Sequence, residues 1–367
     1  MLIAFAAILV ILSFVLSVLL TACVRKWATK AGFVSHPSAD RYHQGVVPLG
    51  GGIAIFATIA VIVVSALVAI KFLATPGYLD WLARRVNIRA TDFLAKSGQL
   101  AVIFLCVSIL FALGLWDDKK RLGPLLKLAA QFTVAILAAA FGDVRVELFI
   151  ENKLITAALS AVWIVLIINA FNFLDNMDGA AAGIAAIASG ILFTAAAISG
   201  QVFVGGMALV FIGTLLGFLV FNFPPAKIFM GDAGSLVVGF FVALLSLRTT
   251  YYQEAQSGQW YAICMPLVVM AVPLYDFVSV TLLRISQRKS PFIGDTQHFS
   301  HRLKRHGLTD VQTVLTLYLA TLCTGLGATF LYQVNIAGAI LIFVQTVMVL
   351  FIIAVLEAGA RNEKNSD

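Results

Sequence analysis

Long apolar runs follow one another along the whole chain, separated by short polar segments. A hydrocarbon layer of ~30 Å needs about 20 residues of helix at ~1.5 Å per residue, so each run is read as one membrane span. Eleven spans are predicted, at roughly 2–22, 50–72, 98–115, 125–141, 154–171, 181–199, 203–221, 234–250, 260–283, 312–332 and 336–357. The expectation is an all-α polytopic membrane protein forming a single integral-membrane domain over 1–367, with a basic, histidine-bearing loop at 284–311.

Composition agrees with this pattern. The 367 residues are 61% hydrophobic and 12% charged, with a mean hydropathy of +0.98, whereas soluble domains are about 45–50% apolar and about 25% charged. The opening run lacks a basic leader and is longer than the ~7–15 residues of a signal-peptide core, so it is read as a retained span. Cys23, Cys106, Cys264 and Cys323 lie in or beside apolar runs without paired spacing, which suggests neither disulfides nor a zinc site.

Charge then orients the bundle. Eleven spans put the loops near 23–49, 116–124, 172–180, 222–233 and 284–311 on one side, with the C-terminal tail. That side carries 17 of the 25 lysines and arginines, counting Lys127 at a loop edge. By the positive-inside rule it faces the cytoplasm. The net charge of +7 therefore needs no nucleic-acid partner; it suits membrane lipids and a polyanionic substrate. One loop on the other side, "WLARRVNIRATDFLAKS", is basic as well and reads as an amphipathic segment in the interface.

The chemistry-bearing residues gather on the cytoplasmic side. "GFVSHPSADRYHQGVVPLGGG" carries His43, "GLWDDKKRLGPLLKLAAQ" carries Asp117, Asp118 and Lys127, and "NFPPAKIFMGDAGSLVVG" carries Phe229 and Asp232. "RKSPFIGDTQHFSHRLKRHG" adds Asp295, His298, His301 and Arg302. A lone acid at a span end is often a cap or a snorkelling group, but five or more on one face repel unless a cation sits among them. A hard divalent ion such as Mg²⁺, with Mn²⁺ as a substitute, is the simplest answer.

"NAFNFLDNMDGAAAG" places Asn169, Asn172, Asp175 and Asp178 three apart at the end of an apolar run. Positions three apart drift by about 60° per step around a helix, so Asn172, Asp175 and Asp178 are expected to form a curved polar wall there. In "MGDAGS", small residues before a helix allow N–H groups to approach a phosphate. Taken alone, Asp232 there reads equally as an N-cap, and Phe229 as a packing aromatic. His298 and His301, among basic residues, suit hydrogen bonds to a phosphate or sugar better than metal ligation.

Together these segments resemble the polyprenyl-phosphate N-acetylhexosamine-1-phosphate transferases, to which the MurNAc-pentapeptide translocases are related. "NAFNFLDNMDG" is similar to the family's N-A-x-N-x-x-D-G-x-D-G, and "FMGDAGSLVVG" to its F-M-G-D-x-G-S-x-x-x-G. "WDDKKRL" with Lys127 and Gln131, and "VPLYD…LLR…SPF…D…H", follow in the family's order. The resemblance implies ten or eleven spans, a cytoplasmic-face active site in the bacterial cytoplasmic (inner) membrane, and transfer of a UDP-linked sugar 1-phosphate to undecaprenyl phosphate. It implies Asp232 as the metal ligand, Asp117 and Asp118 at the lipid phosphate, and Asn172, Asp175 and Asp178 at the nucleotide and metal. Phe229 would stack on uracil, with His298, His301 and Arg302 at the diphosphate or sugar; Lys127, His43 and Asp295 would complete the substrate-binding set. A homodimer is compatible with the resemblance, and no GxxxG face is relied on to mark its interface.

This sequence departs from the family pattern at Asn176, at Ala180 and at Ser300, which stands where the histidine motif usually has its middle His. The "SPFIGDTQHFSHRL" segment favours a UDP-GlcNAc donor over UDP-MurNAc-pentapeptide. A secondary transporter is the rival from another class, supported by Asp276 inside the ninth span. The acids at span ends and the lack of an internal repeat speak against it. A degenerate scaffold homologue is disfavoured because all five acids are present.

Overall fold

The computed structural model describes residues 2–36, 45–69, 71–72, 96–146, 150–249, 251, 260–289, 302–304 and 307–363. The long helices are α1 (Leu2–Lys30), α2 (Gly51–Ala69), α3 (Ser97–Lys119), α4 (Pro124–Phe141), α5 (Lys153–Leu174), α6 (Ala180–Ile198), α7 (Val202–Asn222) and α8 (Asp232–Arg248). After a 3-10 turn (Trp260–Cys264) come α9 (Met265–Val269), α10 (Ala271–Ser286), α11 (Asp310–Ala328) and α12 (Ile336–Glu363). Each of the eleven predicted spans coincides with helix. Among the described residues, nine helices are long and apolar enough to cross a membrane, and a bent pair makes a tenth. The eleventh, α8, has 17 residues. The chain is a multi-pass, all-α membrane protein.

The bent pair corrects one expectation. The run 260–283 is not one straight helix: the segment Trp260–Val269, ending in α9, meets α10 at 63°. Pro273 supplies the reason, because it cannot donate to the carbonyl four residues back, at Val269, where α9 ends. A second feature escaped the all-α reading. Val34–Ser35 (β1) and Val47–Pro48 (β2) pair antiparallel, Val34 with Pro48 and Ser35 with Val47. This small clasp brings both ends of the first polar loop together at the foot of α2.

Helix α8 is the hub. It packs on α2, α3, α5, α6 and α7, and every residue from Ala233 to Ser246 is buried. An apolar surface on all sides of a helix belongs in such a position. Its close neighbours are small where they meet it. A Cβ on Gly52 of α2 would stand 2.2 Å from the Gly234 nitrogen, and one on Gly114 of α3 would stand 2.5 Å from Ala233 Cα. Backbone thus meets backbone around the first turn of α8.

The far end of α8 is clasped separately. Arg248 Nη1 donates to the Asp143 carbonyl at 2.7 Å and to Asp143 Oδ2 at 2.9 Å, and Arg145 Nη2 donates to Asp143 Oδ1 at 3.1 Å. The hub is therefore held at both ends, by glycine contacts at one and by ion pairs at the other.

Candidate active site

The first turn of α8 and the loop before it are fixed mainly through backbone. Phe229 N–H donates to the Pro48 carbonyl at 2.9 Å. Gly51 and Gly52, at the start of α2, donate their N–H groups to the carbonyls of Phe229 and Met230, each at 2.9 Å. The first N–H groups of a helix have no partner within it, and here α2 spends two of them on the loop. Gly231 then turns the chain with φ +70° and ψ 175°, a conformation open essentially to glycine alone.

On this platform stands the central charge cluster. The Lys127 ammonium donates to Asp117 Oδ2 at 2.9 Å and also to Asp232 Oδ2. Asp117 further accepts from Leu122 N–H at 2.6 Å. Asn172 donates its amide to Asp232 Oδ1 at 2.9 Å and to Ser235 Oγ at 2.8 Å. Asp232 thus faces a cation through one oxygen and a neutral donor through the other. The Lys127 and Asp117 side chains are mostly buried, at 15% and 12% exposed, while Asp232 keeps 30% of its surface open. Of the two carboxylates, the one at the helix start is the more open.

Asp118 turns away from this cluster. Its Oδ1 accepts from Asp232 N–H at 2.8 Å and its Oδ2 from Ala233 N–H at 3.1 Å. Asp232 is not the N-cap that its position suggested; Gly231 is, and it has no side chain to cap with.

The four-residue polar row divides. Helix α5 ends at Leu174, so only Asn169 and Asn172 lie on it, Asp175 is its C-cap, and Asp178 lies beyond. The continuous helical wall drawn from the spacing therefore does not form. Asn169 donates instead to Gln131 Oε1 at 2.7 Å and to the Val165 carbonyl. Asp178 Oδ2 accepts from Ala226 N–H at 2.8 Å, while Gly179 donates its N–H to Asn222 Oδ1 at 3.0 Å and its carbonyl accepts from Tyr318 OH at 2.6 Å. Asp178 therefore ties the end of the polar row to the loop that leads to Phe229, whose ring is half-buried.

Among the histidine-segment residues, Arg302 is described, and its Nη2 donates to Ser279 Oγ of α10 at 2.8 Å. His43, Asp295, His298 and His301 lie outside the described residues.

The profile of glycosyl transferase family 4 matches residues 100–250, the stretch from α3 through α8 that holds the whole cluster. A probable undecaprenyl-phosphate N-acetylglucosaminyl 1-phosphate transferase of Bacillus subtilis (strain 168) is 30% identical over 368 residues, covering 97% of this chain and 94% of that protein. Undecaprenyl-phosphate alpha-N-acetylglucosaminyl 1-phosphate transferases of Yersinia pestis and Escherichia coli (strain K12) are each 28% identical, over 364 and 323 residues. These cover 94% and 84% of this chain, and 88% and 78% of the relatives. The chain belongs to glycosyl transferase family 4.

Two residues of this family 4 transferase were not singled out by the sequence. Ser235 shares the Asn172 amide with Asp232; its signal was its place one helical turn after Asp232 on the same face. Arg284, only 1% exposed, sets its guanidinium 5.0 Å from the ring centre of Phe173, beside the end of α5. Arg284 stood in the sequence only as the Arg of the "LLR" element just past the predicted ninth span, with no role assigned to it.

Proposed function

We propose that the protein transfers N-acetylglucosamine 1-phosphate from UDP-N-acetylglucosamine to undecaprenyl phosphate, releasing UMP. The observation that carries this reading is the Asp117–Lys127–Asp232–Asn172 cluster at one end of the bundle, in a chain whose relatives are named for that reaction. The excess of lysine and arginine at that end supports a cytoplasmic orientation, and with it a place in the bacterial inner membrane. A UDP-sugar made in the cytosol and a lipid phosphate at the bilayer surface meet at such a site.

In the reaction, an oxygen of the lipid phosphate attacks the sugar-linked phosphorus of the donor. The bond from that phosphorus to the bridging oxygen breaks, and UMP leaves with the electron pair. Transfer at phosphorus asks for positioning and charge neutralisation more than for covalent help. Lys127 supplies a fixed positive charge between the two carboxylates, and Asn172 fixes the direction of Asp232. Asp178 ties the turn after α5 to the loop of Phe229, which would border the nucleotide.

A divalent cation suits this donor set. Among the described residues no cluster of three acids, histidines or cysteines forms a complete cage, and Mg²⁺ characteristically takes one or two carboxylates plus substrate phosphates and water. Asp232 and Asp117, both facing Lys127 Nζ, would hold it. When bound it would neutralise charge developing on the departing UMP.

The test is purified protein in lipid nanodiscs with undecaprenyl phosphate, Mg²⁺ and UDP-GlcNAc labelled in the sugar. Label should move into the lipid phase and stop with EDTA. Transfer from a different UDP-sugar alone would reassign the donor. No transfer from any nucleotide sugar by folded protein would refute the enzyme reading.

A further inference from the structure

Two adjacent acids on α3 reach different partners. Asp117 faces the Lys127 ammonium, whereas Asp118 gives one oxygen to each of the first two N–H groups of α8. We propose that Asp118 is a positioning residue: it caps α8 from another helix and thereby aims Asp232, without itself reacting with substrate. The proposal deepens the transferase reading and, for its kinetic arm, rests on it.

Gly231 cannot supply the cap itself. A helix normally takes its N-terminal cap from the side chain at the N-cap position, which binds an N–H two or three residues on. Here that position adopts φ +70° and ψ 175°, which excludes side chains. Space excludes them as well, since a Cβ on Gly231 would stand 2.7 Å from Asp118 Oδ2. The cap is therefore delivered from outside, and the Asp118 carboxylate fills the volume that a local cap would have used. In its ionised form it also places negative charge at the positive end of the α8 dipole.

The connection to chemistry is short. The N–H that Asp118 Oδ1 holds belongs to Asp232, whose side chain enters the charge cluster. Backbone and carboxylate of Asp232 are thus fixed by different partners: Asp118 behind, Lys127 and Asn172 in front. Loss of the rear support rotates the first turn of α8 and misaims the acid. Residues that orient a reactive acid in this way are worth roughly 10–100-fold in activity or metal affinity.

The test compares wild type, Asp118→Asn and Gly231→Ala. Asp118→Asn keeps one acceptor but turns an NH₂ toward a backbone N–H. Gly231→Ala changes no charge, crowds Asp118 and strains the turn into α8. Both variants are expected to lower kcat by roughly 10–100-fold, with KM for UDP-GlcNAc within about 2-fold of wild type. The acid limb of the kcat/KM pH profile should stay at the same pH, and amide hydrogen exchange over residues 231–234 should accelerate. Loss of the acid limb in Asp118→Asn would make Asp118 the base and overturn the proposal. So would unchanged exchange at 231–234, or wild-type kinetics in Gly231→Ala. If Asp118→Asn does not fold, Gly231→Ala decides alone. Absence of transfer by the wild type would count against the transferase reading only, because hydrogen exchange reads the cap without substrate.

Discussion

The side-chain amide of Asn172 donates to Asp232 Oδ1 at 2.9 Å, joining the last turn of α5 to the first turn of α8. The same amide nitrogen reaches Ser235 Oγ, so one asparagine links two helices and sets the direction of Asp232.

Removing that amide should therefore act on catalysis more than on folding. Asn172→Ala is expected to slow label transfer to undecaprenyl phosphate by roughly 10–100-fold. Asn172→Asp should be worse, since it sets a like charge against Asp232. Initial rates at saturating UDP-GlcNAc would check both, and a wild-type rate in either would show that Asp232 is aimed by other means.

Lys127 should matter to stability as well as to rate. It is a mostly buried cation between two carboxylates, of which Asp117 is the more buried, and breaking a buried pair costs about 3 kcal/mol at the lower end of the observed range. Lys127→Met should lower the melting temperature clearly, and a second change, Asp117→Asn, should restore part of it. Thermal unfolding of the single and double variants measures the coupling; simple additivity would contradict it.

Gly52→Ala tests the backbone contact at the foot of α2. The added Cβ would meet the Gly234 nitrogen at 2.2 Å, and backbone cannot swing aside as a flexible side chain can. Overpacking of this kind costs about 1–3 kcal/mol. The expected result is a lower melting temperature together with a lower transfer rate, because the displaced segment carries Asp232.

At the opposite end, Asp143 predicts a pH effect. Burial alone would raise its pKa, but hydrogen bonds and charge from Arg145 and Arg248 outweigh burial and hold it below the usual carboxylate range. A lowered folded-state pKa gives stability that is present above the unfolded value, ~3.9 for Asp, and lost as pH falls through the folded value. The stability gap between wild type and Asp143→Asn should be full near neutral pH and close below ~pH 4. A gap that persisted in acid would show that the carboxylate charge is not what holds Arg248.

The spans were legible because a helix within a bilayer must be apolar, whether it faces lipid or, like α8, other helices, and hydropathy records that requirement directly. Where the sequence misled, the cause was a second constraint acting on the same residues. Pro273 breaks the ninth run because a missing N–H outweighs continuous hydropathy. Asp178 left the helical row because α5 stops at Leu174, whereas a spacing of three assumes that the helix continues. The acids of the site were visible as a group, since charge in such an apolar chain stands out. Their division of labour was not, because Asp118 meets its N–H partners only through contacts 114 and 115 residues away, and no local pattern encodes that.

Those separations also carry a consequence for how the protein is made. Asp117 and Asp118 leave the ribosome long before Asp232, so a nascent chain holding α1 to α7 has Lys127 beside its acids but no helix start to cap. The glycine faces of α2 and α3 wait for the same late arrival. Insertion of α8 is therefore the event that completes the Asp117–Lys127–Asp232–Asn172 cluster. A translation product stopped before residue 232 is a set of membrane helices with no active centre, and catalytic competence serves as a report that the middle of the chain has been threaded home.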